Sequence, residues 1–170
     1  MPNNCVNRFL VWGPDEDIAK LKKLVINRKD KVDWWSGEKK ANLFDFDRIV
    51  PQPPEVLKSL DEPGNDLWYH WRYSNWDTKW NSYDPSPDID EHDRYACYFL
   101  SAWGPPVAVY KELARKFPRC SIEVKYWIEG NDGGILNLYW SKALNKVKTR
   151  FRKRVNAKFE EEVFNRQVED

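Results

Sequence analysis

The sequence contains few of the residues that build disulfide frameworks, metal sites and membrane spans. Its 170 residues include three cysteines and two histidines. Cys5, Cys97 and Cys120 have no short spacing, which excludes a Cys-rich zinc module and favours reduced core thiols in a cytosol. No apolar run approaches the roughly 20 residues of a membrane helix. The N-terminus lacks the charged, apolar and small-residue segments of a signal peptide, so we expect a cytoplasmic protein.

An excess of charge is also absent. The chain has 28 basic and 27 acidic residues, which argues against a protein whose whole surface coats nucleic acid or membrane. At 41% hydrophobic and 32% charged, the composition is that of a soluble globular domain. The length suits one domain with its own core.

Tryptophan, by contrast, is abundant. The chain has ten Trp residues, together with eight Tyr and eight Phe. Trp is large and carries an N–H group that needs a partner, so it is rarely fully buried. We therefore expect several indole rings at the surface or along a groove.

Hydrophobic periodicity predicts an α+β fold with the split βαβ order of ferredoxin-like folds. Right-handed crossovers would then place the helices on one face of an antiparallel sheet. Residues 27–40 and 75–93 are predicted to be irregular, with short helices over 54–60 and 67–74. The predicted strands cover residues 5–12, 44–50, 94–102, 121–129 and 135–140, and the predicted longer helices cover 14–26, 107–117 and 144–164.

The domain organisation predicted from this pattern is one ferredoxin-like domain over residues 1–141, with an excursion at about 51–93. Residues 142–170 are predicted as an amphipathic basic helix that packs on the domain or extends from it. Their net charge is +4, whereas the preceding 141 residues carry −3. The apolar face of this helix would consist of residues four apart, namely Val147, Phe151, Val155, Phe159 and Val163.

The basic face of the predicted terminal helix is a candidate contact surface. A basic segment that follows a mildly acidic body can contact phosphate backbones or an acidic protein surface. The alternative is a solvated helix face without a binding role. The candidate residues are Lys146, Arg150, Arg152, Lys153, Arg154 and Lys158.

A second candidate site is the indole cluster around residues 72–80. Trp76 and Trp80 are separated by a short segment that contains Lys79, Arg72 precedes them, and Trp103 is expected nearby in the fold. Such a cluster can stack nucleobases between cations, or it can anchor a protein partner. The alternative is a satellite core that holds the long excursion.

Catalytic and cofactor signals are few, and we expect no enzyme activity and no cofactor. His70 and His92 lie too far apart for common zinc spacings. The glycine-rich segment 130–134 joins two predicted strands, whereas a phosphate loop leads into a helix. Asp45 and Asp47 share one face of a predicted strand, where two carboxylates can hold Mg²⁺ or simply face water.

Five short motifs occur in the order MPNNCVN (1–7), FDRIVPQP (46–53), NWDTKW (75–80), AWGPP (102–106) and EGN (129–131). Together they resemble the YubB/Api92-like family of ferredoxin-like proteins over about residues 1–140. The family has Gly where this chain has Asp77. Asp also adopts positive φ more readily than most residues, which allows a similar turn.

This resemblance implies a ferredoxin-like protein carried by phages or conjugative plasmids, with no defining biochemical activity. It favours a non-catalytic binding protein that attaches to a host protein or protein complex, with inhibition of CRISPR or restriction systems as a precedent. The alternative is a nucleic-acid-binding protein that combines the indole cluster with the basic helix. We expect a monomer or homodimer in the bacterial cytoplasm, without membrane contact.

Overall fold

A six-stranded antiparallel sheet is the largest part of the fold. The computed structural model describes residues 3–33, 35–130, 132–154 and 156–164. Its strands are β1 (Asn4–Trp12), β2 (Asn27–Val32), β3 (Lys39–Asn42), β4 (Tyr83–Asp90), β5 (Arg94–Ala102), β6 (Ser121–Ile128), β7 (Asp132–Ser141) and β8 (Lys146–Lys153). Its helices are α1 (Asp15–Val25), α2 (Phe46–Ile49), α3 (Pro54–Ser59), α4 (Leu67–Trp76), α5 (Val107–Lys116) and α6 (Ala157–Phe164).

The sheet topology confirms the predicted α+β fold. The strand order is β4-β5-β1-β6-β7-β8, and all neighbours are antiparallel. β4 is thus parallel to β1 with β5 between them, and β6 is parallel to β5 with β1 between them. These are the two interleaved split βαβ units of a ferredoxin-like fold. β7 and β8 extend the sheet beyond β6.

The main core lies between the sheet and helices α1 and α5, on one face. Odd-numbered residues of β1, such as Phe9 and Val11, point into it because side chains alternate along a strand. Both helices contribute residues at helical spacing. These are Ile18, Leu21 and Val25 of α1, and Val109, Tyr110, Leu113 and Ala114 of α5.

The opposite face of the sheet, called the second face below, is covered only in part. Helix α6 packs there against β1 and β6, with Phe159 near the Trp127 ring (6.3 Å between centroids). Lys125 of β6 forms an ion pair with Glu162 of α6. The half of this face around Trp127 is therefore covered by α6, whereas the half around Trp12 is left open by the described residues.

The prediction of one continuous helix over residues 144–164 is wrong, because β8 occupies its first half. A spacing of four residues is also a multiple of the strand period of two, so Val147 and Phe151 share a face in either structure. Val155 lies outside the described residues. No helix in the described part of the chain has the length and apolar character needed to cross a membrane.

Three other predicted segments also need correction. Residues 44–50 do not form a strand but contain α2, and residues 27–40 contain β2 and the start of β3, which form a hairpin. The excursion at 51–93 contains α3 and α4, near where short helices were predicted, but also β4. Pro85 and Pro87 are tolerated in β4 because it is an irregular edge strand, which needs fewer ladder hydrogen bonds.

Two adjacent glycines in β7 make room for rings from the neighbouring strands. A Cβ atom at Gly133 would lie 2.5 Å from Cε3 of Trp127, and one at Gly134 would lie 2.5 Å from Cε2 of Phe151. Because Gly134 has no side chain, the Phe151 ring of β8 reaches across it and stacks on Tyr126 of β6, with 6.4 Å between centroids. Side-chain packing thus connects the edge strand to β6.

Candidate functional site

Trp76, which the sequence placed among the partner-binding residues, is a core residue. Its relative exposure is 0%, and its indole N–H donates to the backbone oxygen of Val50 at 3.0 Å. The ring packs edge-on against Phe46 and Trp71, at 5.8 and 5.7 Å between centroids. The interpretation as an anchor is therefore corrected, because the sealed ring cannot contact a partner of the folded monomer.

Arg72 is also committed to internal contacts. Its guanidinium lies 5.3 Å from the ring centroids of both Trp68 and Trp76, and its Nε donates to Oε1 of Gln52 at 2.7 Å. Burial lowers the pKa of the Arg72 guanidinium, but arginine remains protonated in proteins. The side chain therefore fastens α4 to the segment that precedes α3.

Lys79, Trp80 and Trp103 come together at the surface, as the sequence predicted. The Lys79 ammonium lies 4.9 Å from the Trp80 ring centroid and 5.7 Å from that of Trp103, within cation–π range. The Thr78 hydroxyl donates to the backbone oxygen of Ala102 at 2.8 Å. This hydrogen bond holds the segment after α4 against the end of β5, where Trp103 begins the next loop.

Trp103 has a strained backbone and an exposed side chain. Its φ is +69°, in the left-handed region that bulky residues rarely adopt, at a cost of about 1–3 kcal/mol. Its backbone N–H donates to the oxygen of Asn3 at 2.9 Å, which helps to hold this conformation. The side chain is nevertheless 40% exposed.

Two tyrosines of α4 complete this surface. Tyr69 and Tyr73 stack with 6.2 Å between centroids, and the Trp103 ring meets both at 6.3 and 6.2 Å. Tyr73 is 53% exposed. Tyr73 lies just upstream of the predicted indole cluster, whereas Tyr69 was not part of that prediction, although their spacing of four in a predicted helix was a usable signal. The set Tyr69, Tyr73, Lys79, Trp80 and Trp103 is called the aromatic surface below.

Asp77 fixes the turn beneath the aromatic surface. It ends α4 with φ at +61°, and its Oδ2 accepts a hydrogen bond from the backbone N–H of Ala108 at 2.7 Å. The carboxylate therefore caps the start of α5. The turn that the family resemblance allowed for Asp77 is thus present, and it positions α4 beside α5.

The carboxylates of Asp45 and Asp47 serve local structure, and the prediction that they share a strand face is wrong. Asp45 is the N-cap of α2 and accepts hydrogen bonds from the Asp47 N–H and from the side-chain amides of Asn27 and Asn81, at 2.7–3.0 Å. Asp47 accepts from the backbone and side chain of Gln52. Among the described residues, no group of three or more His, Cys, Asp and Glu side chains could hold a metal ion.

The three cysteines are buried thiols, which leads to a labelling prediction. Burial raises the pKa of Cys97 to about 12 and that of Cys120 to about 11, and it raises the pKa of Cys5 further. Because the thiolate is the reactive form, we expect no rapid reaction with Ellman's reagent in the folded protein at pH 8. Three thiols per chain should react in concentrated urea. Fast reaction of any thiol in the folded state would contradict this assignment.

The basic residues of the predicted terminal helix lie on β8 and beyond it, away from the aromatic surface. Four strand spacings, or about 19 Å, separate β8 from β5, whose end carries Trp103. The indole cluster around residues 72–80 and Trp103 therefore does not form one surface with the basic residues of β8. Lys146, Arg150, Arg152 and Lys153 are in β8, Arg154 directly follows it, and Lys158 is in α6.

Comparisons with known proteins support the fold. No family model matches the chain, and no curated protein matches it. One solved structure, protein api92 from Yersinia pseudotuberculosis with the family model DUF1281, matches with a TM-score of 0.65 and 10% sequence identity. The match covers 92% of this chain and 100% of that chain. At this identity, the two proteins are similar in fold.

Proposed function

We propose that this chain is a non-catalytic binding protein that attaches to another protein through the aromatic surface. In line with its resemblance to the YubB/Api92-like family, it would be encoded by a mobile genetic element. Its partner would be a host protein complex in the bacterial cytoplasm. The similarity to api92 concerns the fold and does not enter this assignment.

The conformation and exposure of Trp103 are the main support for the proposal. Its backbone is held in an unfavourable region while its ring stays 40% exposed. Backbone strain of this kind concentrates at binding sites and catalytic sites. The folded monomer gains little from a strained residue whose ring stays exposed, and this favours a role of the ring in binding. Trp and Tyr are also the side chains that most often dominate the binding energy of protein interfaces.

The surroundings of the aromatic surface favour a protein partner over a nucleic acid. Helices α3 and α4 pack on each other and leave large apolar side chains exposed. Lys79 is the one cation among the five side chains of the aromatic surface, which leaves this surface with little to offer a phosphate chain. The exposed apolar side chains are Leu57, Leu60, Leu67 and Tyr73.

Replacing Trp103 with alanine should weaken partner binding strongly while the fold is retained. Truncation of a central aromatic residue commonly weakens a complex by about 2 kcal/mol or more, or about 30-fold in Kd. The measurement is affinity capture of the tagged protein from nuclease-treated host lysate, followed by titration with the purified partner. Trp12→Ala is the matched control, since Trp12 is 41% exposed on the second face.

The supporting result is a protein that co-purifies with the wild type and with Trp12→Ala, but not with Trp103→Ala. If no captured protein distinguishes the two variants, the aromatic surface is not the binding site. If the partner belongs to a host defence system, the protein should inhibit that system, and this is measured separately. Expression of the wild type, but not of Trp103→Ala, should protect an incoming phage or plasmid in a host with the targeted restriction or CRISPR system.

A further inference from the structure

The open half of the second face carries aromatic and cationic side chains in aligned rows. Pairing of β1, β6, β7 and β8 sets residues from all four strands side by side, and directly paired residues share a face. The first row is Trp12, Ser121, Tyr139 and Lys148, and the second is Leu10, Glu123, Asn137 and Arg150. Arg152 follows in the third row, opposite Ile135.

These rows form a groove of about 660 Å³. The small side chain of Ser121 separates Trp12 from Tyr139 by two strand spacings, or about 10 Å. Trp12 is exposed, and its ring is not part of either core cluster. Tyr139 is partly exposed, so planar groups can reach both rings from solvent. The residues of this face that line the groove are Trp12, Ser121, Asn137, Tyr139, Arg150 and Arg152.

The edge strand adds a column of positive charge to the groove. Its outward side chains are two residues apart, which corresponds to about 6.8 Å along a strand. The Arg150 guanidinium lies 5.9 Å from the Tyr139 ring centroid. Glu123 is the one acid in the first two rows, so this half of the face is net positive. The column is Lys146, Lys148, Arg150 and Arg152, none of which forms an ion pair with another described residue.

We propose that this open half of the second face binds single-stranded RNA. Bases would stack on Tyr139 and Trp12, and phosphates would contact the cations of β8, as in other stacking platforms with a basic groove. Ser121 and Asn137 line the floor between the rings, and neither side chain has a hydrogen-bond partner among the described residues. Their hydroxyl and amide groups suit base edges and the 2′-hydroxyl.

The charges of β8 have an alternative explanation, which is protection of the sheet edge. Lysine and arginine on an edge strand discourage pairing with other chains. That purpose does not require an exposed Trp on β1 and an aromatic ring on β7 in the same row. Stacking of splayed bases does require them, and bases in a duplex are not available for it. The proposal concerns a different part of the molecule from the aromatic surface, since β8 and β5 lie four strand spacings apart, and it does not depend on the proposed function.

The test is fluorescence anisotropy of a labelled U12 RNA titrated with the full chain between 50 and 400 mM salt. Three phosphate contacts predict a log–log slope of about −2. The double variant Arg150→Gln with Arg152→Gln should reduce this slope to about −0.7. Lys20→Gln with Lys23→Gln removes the same charge from the exposed side of α1 and should leave the slope and affinity unchanged.

Stacking is tested separately at Tyr139. We expect Tyr139→Ala to weaken U12 binding about tenfold or more, whereas Tyr139→Phe, which retains the ring, should bind like the wild type. Thermal melts of each variant show whether it is folded. Trp103→Ala should bind U12 normally, so failure here and failure of the protein-binding proposal are distinguishable.

Several results would overturn the proposal. Equal affinity for a 12-base-pair RNA duplex would contradict stacking, and equal affinity for a DNA 12-mer would contradict the assignment to RNA. Tighter binding of a twelve-residue polyglutamate would identify an acidic protein segment as the ligand instead. If the α1 and β8 double variants lost the same affinity for U12, the binding would reflect the total positive charge of the protein and not the groove.

Discussion

Replacing Trp76 with alanine is expected to lower the free energy of unfolding by about 3–5 kcal/mol, which is typical of truncating a buried aromatic residue. The ring is fully enclosed and packs against Phe46 and Trp71. Its removal would leave a cavity between α4 and α2. It would also leave the backbone oxygen of Val50 without its donor, and an unsatisfied buried group adds to the loss.

The measurement is urea unfolding followed by circular dichroism, because nine other Trp residues would complicate fluorescence. Trp103→Ala is the control: its ring is partly exposed, so its truncation should cost clearly less, about 2 kcal/mol or less. A loss below about 1 kcal/mol for Trp76→Ala would show that this ring does not belong to the core. This pair of variants also separates a structural indole from a binding indole.

Asp45→Ala is expected to destabilise the protein by about 3 kcal/mol. Loss of an N-cap contributes about 1 kcal/mol. The side-chain amides of Asn27 and Asn81 would lose their hydrogen-bond acceptor in a nearly buried setting, which contributes a further 1–3 kcal/mol. These amides join the start of β2 and the segment before β4, so the effect should extend beyond the short helix α2.

Asp66→Ala provides the matched control for Asp45→Ala. Asp66 occupies the N-cap position of α4 but its side chain makes no capping hydrogen bond, so we expect a change within about 0.5 kcal/mol. Unfolding is again followed in urea. Two results would contradict the structural role of Asp45: equal effects of both substitutions, or a wild-type stability that falls when EDTA is added.

The central elements of the fold were predictable because their periodicity is strong. The alternation in β1, β6 and β7 and the helical spacing in α1 and α5 place apolar residues on one face. The acidic first turn and basic last turn of α1 agree with its dipole. These signals are local, and they were sufficient for the split βαβ order.

Strand β4 could not be predicted from local signals. Its sequence, YDPSPDID, contains two prolines and three aspartates, which are depleted in strands. It forms at the sheet edge because β5 offers one ladder of hydrogen bonds and the irregular pairing accommodates the prolines. The alternating Phe44–Phe46 segment then appeared to be the missing strand, although both rings are buried around the start of α2.

The candidate site was predictable in part. Lys79, Trp80 and Trp103 converge because the end of β5 lies beside the segment after α4, which the topology implied. The burial of Trp76 was not readable from the sequence, since Trp71, Trp76 and Trp80 occur in similar polar and aromatic surroundings. Which of these rings is enclosed depends on α2, an element of only four residues.

The stack of Phe151 on Tyr126 across Gly134 has a consequence for the outer edge of the molecule. If β8 slid by one residue, alternation would turn Lys148, Arg150 and Arg152 toward the side of α5 and move Phe151 to the second face. In the observed alignment the bare position at Gly134 accepts the ring, and a Cβ atom there would not. A residue without a side chain thus favours the alignment that displays the cationic column on the second face.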